Sequence, residues 1–415
     1  MRRPTADPLD VVLDNGLRVV VAGMPGRAIV SAHLRWSLGT AGDPADAQGV
    51  AVVLHEWLQR GAGGLDARAY ADAFDRLGAR RGGGVGRAHA TLGVACLARD
   101  AAHVLPLLAS AVAAPGLADD EFEGARQLAL QELAAVADSP DEGLLEAAIA
   151  ARYAGEHGRS AYGVRAHLER LDPAVVRALA PSRLAPEGAV LAVAGGDDAE
   201  ALVRAAADAF GGWRGGAAPM PAPRPRPRSR VHRRGRGEQT HVALIDPAVP
   251  PRAAGWTEQA LAMTALAGAT AARLWTVVRE ERGLAYDVGS AIHVVDGDAY
   301  RLTHAVTAPE RASEAIDVLL HELTRSRGGL DADELRRAQL LLRSSVVFES
   351  ETSGGRAARL ASDVVRFGYP RPVERIEAEI ERVTLAAVNA FLASRPPVEP
   401  TVVTTGPSPT GAWST

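Results

Sequence analysis

Leu117, Glu121 and Ala125 in GLADDEFEGARQLAL recur 213 residues later as Leu330, Glu334 and Ala338 in GLDADELRRAQLLL. Each copy follows an amphipathic stretch, residues 101–113 and 312–324. In a chain of 415 residues, this recurrence points to two related halves rather than one continuous core. One aligned block is also what two similar helices could share by chance, so the duplication stands as an expectation.

Between the copies the pattern changes to GGWRGGAAPMPAPRPRPRSRVHRRGRG, residues 211–237. Alternating proline and arginine favours stiff, extended, self-repelling backbone, which reads as an interdomain linker. The expected division is therefore a domain at 1–215, a linker at 216–237 and a second domain at 238–415. Seven arginines lie between Arg224 and Arg236, so a nucleic-acid surface is the alternative. No aromatic residues are interleaved there for base stacking, and the net charge of −4 opposes a chain-wide basic surface. Neither nucleic acid nor a membrane is expected as a partner.

The first half reads as mixed strands and helices. LDVVLDNGLRVVVAG places Asp14-Asn15-Gly16 between two apolar runs, the pattern of a β-hairpin with a primed turn. SAHLRW, AHATLGVACLA and AVLAVAG read as further strands. Val50, Val53, Leu54, Trp57 and Leu58 have the spacing of a helix with one buried stripe. Asp66 is placed to cap the next helix, with Tyr70, Phe74 and Leu77 inward and Gly78 ending it. The run Gly82-Gly83-Gly84-Val85-Gly86 lacks the GK[ST] of a phosphate loop and reads as a flexible connection. The fold class is then α+β: two related domains, each a mixed, largely antiparallel sheet with helices on one face.

Several chemistries drop out. The single cysteine, Cys96, sits in an apolar run and reads as a core residue. No segment reaches about 18 uninterrupted apolar residues, and no apolar stretch follows Arg2 and Arg3, so a cytoplasmic protein is expected.

The segment GVAVVLHEWLQRG, residues 49–61, resembles the inverted zinc motif G-x-A-H-x-L-E-H-x-x-x-x-G of the pitrilysin/insulinase peptidases. Gly49, Ala51, Leu54 and Gly61 align without gaps, while the three chemical positions hold Val52, His55 and Glu56. The resemblance implies that Val52 and Glu56 replace the histidine ligands, that His55 replaces the general base, and that Glu132 stands at the family's third ligand. A catalytic zinc needs three protein ligands and an open position. Val52 has no lone pair, and adjacent residues on a helix point about 100° apart, so a rearranged site at His55 and Glu56 is disfavoured. On this reading His55 and Glu56 face a chamber wall, Glu132 is a relic of the former site or an ordinary helix-surface carboxylate, and the chain holds no metal.

Residues 279–286, REERGLAY, resemble the same family's substrate-gripping segment. Arg282 and Tyr286 match the arginine and tyrosine that the family uses as donors to the substrate backbone and the developing oxyanion. Without the resemblance they read as a helix-end cation and a strand aromatic. The match is to the two-chain branch typified by mitochondrial processing peptidase. It implies a non-catalytic subunit, inactive alone, that forms half of a peptide chamber with a homologous H-x-x-E-H partner carrying the zinc. The long glycine-rich loop of the mitochondrial non-catalytic subunit is replaced here by LAGATAARL. The alternative is a structural or peptide-binding scaffold, as for the core subunits of the respiratory cytochrome bc complex.

Overall fold

The computed structural model describes residues 7–216, 218–235 and 237–408. Arg236 and the first six residues, used in the readings above, lie outside them. The principal elements of the first half are β1 (Leu9–Val12), β2 (Arg18–Ala22), β3 (Ile29–Trp36), α1 (Val50–Leu58), α2 (Ala67–Arg76), β4 (Arg80–Val85), β5 (Ala90–Leu97), α3 (Ala101–Ala113), α4 (Asp119–Ala137), α5 (Pro140–Arg152) and β6 (Val190–Gly195). The second half contributes β7 (Arg230–Arg234), β8 (Thr240–Pro247), α6 (Trp256–Ala267), β9 (Asp287–Val295), β10 (Asp298–Thr307), α7 (Ala312–Arg325), α8 (Ala332–Ser350), α9 (Ser353–Phe367), α10 (Leu385–Ser394) and β11 (Thr401–Gly406).

The elements form two compact units, and neither is a continuous stretch of chain. One comprises Met1–Ala134, Arg159–Pro221 and Phe348–Val373; the other comprises Ala135–Gly158, Ala222–Val347 and Glu374–Thr415. The first unit's sheet has the order β1-β2-β6-β3-β5-β4, and the second's has β7-β11-β8-β10-β9. Apart from β1 the orders match strand for strand. Each sheet has one parallel pair, Val19 beside Leu191 and Val403 beside Val231, and its other pairs are antiparallel. A chance likeness of two helices does not account for this, so the duplication extends through both sheets.

Strand β7 lies inside the arginine-rich segment read as linker, and it pairs with β11 from the far end of the chain. Extended Pro/Arg backbone suits an edge strand, because charge on an edge discourages further pairing.

Helices pack on both faces of each sheet. In the first unit Val19, Val21, Leu191 and Val193 join the core with α1, α3 and α4. The alternate residues Val20, Ala22, Ala192 and Ala194 pack on Ala357, Leu360, Ala361 and Val364 of α9. In the second unit Ala243, Ile245, Leu302 and Val403 pack on Leu144, Ala147, Ala148 and Ala151 of α5. Strands β2 and β6 are therefore buried on both sides, which is why they read as unbroken apolar runs. Each covering helix comes from the opposite half of the sequence.

Local chemistry sets the turns. Asn15 keeps a negative φ and only Gly16 is left-handed, so the β1–β2 loop is not the two-residue primed turn the sequence implied. Gly16 N–H donates to Leu13 O and Leu13 N–H to Leu17 O, while the Asn15 amide donates to the carbonyls of Phe210 and Trp213. That tether holds Asn15 in place and leaves the bulge to Gly16. Asp66 caps α2 by accepting from Ala69 N–H at 2.7 Å. Among the described residues no helix is long and apolar enough to cross a membrane.

Candidate functional site

Helix α1 is buried along its whole length except at Glu56. Its entry depends on Gly49, whose φ is +104° and where a Cβ would meet the Leu168 side chain at 2.6 Å. The Asp43 carboxylate accepts from the N–H groups of Gly49 and Ala51 at 2.7 and 3.2 Å. Burial pushes the Asp43 carboxyl up to about 7, against those two bonds and the charges of Arg183 and Arg159.

Val52 points into the apolar core that α1 shares with β3 and β5. His55 does not face a chamber wall. It is 1% exposed, its ring stacks near Trp36 with centroids 6.2 Å apart, and Nε2 lies 2.9 Å from Thr91 O. A carbonyl only accepts, so Nε2 carries the proton and is not a free ligand. Glu56 is partly exposed, with a carboxylate oxygen 3.6 Å from His55 Nδ1. Glu132 lies on the exposed side of α4. Partial desolvation and then the Glu56 charge raise its carboxyl above the usual range, with His55 acting in the opposite sense. The fold thus brings His55, Glu56 and Glu132 into electrostatic range. With Val52 in the core and His55 Nε2 bonded, these residues do not fit a catalytic zinc.

The glycine run is not a flexible connection. Residues 80–85 form β4, an edge strand antiparallel to β5. A Cβ on Gly83 would lie 2.2 Å from Thr91 O, the oxygen that His55 holds, whereas Gly82 and Gly84 meet nothing within 4 Å. Glycine at 83 permits the close strand approach.

In the second unit, residues 275–281 wind as a π-helix ending at Arg282. Arg282 N–H donates to Val277 O, and Arg311 donates to the carbonyls of Arg282 and Gly283, fixing the turn. The Arg282 side chain is exposed and has no partner among the described residues. Tyr286 is 75% exposed just before β9, its N–H bonded to Val306 O. Arg279 lies over the rings of both Trp275 and Tyr286, at 4.1 and 4.9 Å. Sequence reasoning missed Arg279 and Arg311 as positioning residues. Arg279 opens the quoted motif, whereas Arg311 gives no sequence signal because its contact spans 29 residues.

Residues 18–163 match the family description "Insulinase (Peptidase family M16)", and residues 170–342 match "Peptidase M16 inactive domain". An uncharacterised zinc protease of Mycobacterium tuberculosis is 30% identical over 94% of this chain and 92% of its own length. The solved structure of a peptidase M16 inactive domain from Pseudomonas fluorescens superimposes with TM-score 0.87 at 20% identity, covering 98% of each chain. A Helicobacter pylori protease gives TM-score 0.85 at 16% identity, over 97% of this chain and all of the other. The duplicated sheets and the gapless α1 segment accord with these likenesses, and the chain belongs to the M16, or insulinase, family of peptidases.

Proposed function

We propose that this protein is the non-catalytic subunit of a two-chain M16 peptidase, acting in peptide or precursor processing. The observation that carries the reading is a contrast between two sites. At α1 the former metal positions are an apolar core residue and a histidine whose Nε2 proton is bonded. At residues 282–286 hydrogen bonds fix the backbone of the turn, and a guanidinium and a phenol are left open to solvent.

In this reading a homologous H-x-x-E-H partner binds the zinc, which supplies the activated water. Arg282 and Tyr286 donate hydrogen bonds to the substrate backbone and to the oxyanion that develops at the scissile carbonyl. Arg279 packs over the Tyr286 ring, a contact that favours one orientation of the donor. Each such donor contributes about 3 kcal/mol to transition-state stabilisation.

The test is co-expression with an H-x-x-E-H homologue. The mixture should cleave peptides, the isolated chain should not, and zinc should track with the partner. Arg282→Ala should lower kcat about 100-fold with complex formation unchanged. Full activity in that variant refutes the role in trans.

The second reading is a peptide-binding scaffold. It is favoured by β4, an edge strand whose Gly82 and Gly84 are open on their faces. An extended peptide can add to such an edge through main-chain hydrogen bonds. Peptide binding without any partner-dependent cleavage selects it.

A further inference from the structure

The second unit contains a cavity of about 90 Å³ whose walls come from the end of β8, from α6, from α10 and from residues 395–399. Its apolar lining includes Met263, Leu266, Leu323 and Phe391. Five arginines border it, Arg228, Arg273, Arg301, Arg327 and Arg395, against two acids, Asp246 and Glu399.

Three of the arginines are already matched. Arg301 grips Asp246 through two bonds of 2.9 and 2.6 Å, Arg273 holds Glu334, and Arg228 holds Glu399. The last pair is about half exposed, which places it at the solvent end. Asp246 is mostly buried, with its side chain 15% exposed, and its forked bond to Arg301 occupies both of its oxygens.

Two arginines remain without an ion-paired carboxylate, although Arg395 acts on Asp246 at longer range. Arg395 makes one long bond to Pro247 O, at 3.4 Å, and lies over the Phe391 ring. Arg327 has a buried Nε with no acceptor. Arg87, Arg126, Arg152, Arg343, Arg359 and Arg371 also have a buried Nε without an acceptor, but Arg87 interacts elsewhere and the terminal nitrogens of the other five pair with carboxylates. Arg327 has no such pair among the described residues. A buried donor without an acceptor is destabilising unless something else supplies one.

We propose that this cavity binds a small carboxylate with an apolar body, its charged end held by Arg327 and Arg395 and its hydrocarbon against Met263, Leu266 and Leu323. A neutral ligand leaves the Arg327 guanidinium without a carboxylate and Arg395 with only the distant charge of Asp246. A wholly polar anion leaves the apolar wall unmatched. A cavity of about 150 Å³ holds the six heavy atoms of benzene, so this one encloses about four, the carbon skeleton of a four-carbon acid whose two carboxylate oxygens lie against the arginines. A free short-chain acid and the carboxyl-terminal residue of a peptide share this chemistry. The site is independent of the reading in trans, because its readout is binding and not cleavage.

The experiment is calorimetric titration of the full chain with isobutyrate, isobutyramide, inorganic phosphate, the tripeptide Gly-Gly-Val and its carboxyl-terminal amide. Isobutyrate should bind with a Kd on the order of millimolar, as its size allows, and isobutyramide should not bind. Arg327→Gln and Arg395→Gln should each weaken isobutyrate about tenfold. Tighter binding of the tripeptide than isobutyrate, lost in the amide, assigns a peptide terminus as the source; the reverse order assigns a free acid. Should either variant fail to fold, isobutyrate must instead shift the Arg327 Nε–H resonance of the unaltered protein. Equal binding of isobutyramide, binding of phosphate in place of carboxylates, or full affinity in both folded variants overturns the proposal.

Discussion

The Nε2–H of His55 donates to the carbonyl oxygen of Thr91 across 2.9 Å, joining α1 to the strand on which the sheet edge is built. The same oxygen sits where a side chain on Gly83 would collide. His55 is therefore a packing and hydrogen-bonding residue at the position that the resemblance to the inverted zinc motif assigns to a glutamate base. His55→Ala leaves the Thr91 carbonyl unsatisfied and opens a void beside Trp36. It should lower unfolding stability by about 2–4 kcal/mol, measured by urea denaturation. Metal content should be the same in the two proteins; loss of zinc on substitution would falsify the structural assignment.

Asp43 makes α1 pH-sensitive. Its folded-state value of about 7 lies above the unfolded carboxyl's, so the folded state binds the extra proton. The stabilisation is fully present below the unfolded value, about 4, and is lost as pH rises through 7, with a total on the order of a few kcal/mol. Asp43→Asn cannot titrate, and its stability should be flat through that window. Denaturation midpoints at pH 5 and 8 check this, and an equal slope in both proteins rejects it.

Much of this was legible because it is local. The spacing of Val50, Val53, Leu54, Trp57 and Leu58 gives α1, and Asp66 marks the start of α2. What escaped depends on distant chain. Glycine is a weak strand former, so β4 was hidden until the clearance over Thr91 O explained Gly83. Strand β7 exists because β11, about 170 residues away, pairs with it. At the candidate site the sequence gives the identities of Val52, His55 and Glu56. That His55 turns inward to a carbonyl is set by β5, which no helical spacing encodes.

The repeat extends to an ion pair that the motif alone did not show. Arg60 bonds Glu121 at 3.1 Å, and Arg273 bonds Glu334, each partner shifted by the same 213 residues. The second pair is the more buried, with side chains 19% and 12% exposed against 27% and 30%. Its interaction raises the Arg273 value, and the bonds to Glu334 hold that carboxyl below its usual range despite desolvation. Double-mutant cycles should give a coupling of about 1–3 kcal/mol for Arg273–Glu334 and under about 1 kcal/mol for Arg60–Glu121. The reverse order rejects burial as the cause.

The crossed origin of the covering helices makes a prediction about dissection. A fragment ending at 215 retains β2 and β6 but lacks α9, so Val20, Ala22, Ala192 and Ala194 lose Leu360 and Val364 as cover. A fragment beginning at 238 lacks α5, which exposes Ala243, Ile245 and Leu302, and it also lacks β7. Each fragment then presents an apolar sheet face to water, the condition for aggregation. Expressed separately, both should be insoluble or bind a hydrophobic dye, and co-expression should recover soluble protein. Leu360→Ala in the intact chain probes the same contact more gently, at about 2–5 kcal/mol. Two separately soluble fragments with cooperative unfolding would show that α5 and α9 are dispensable cover, and the first domain would then end near residue 215 after all.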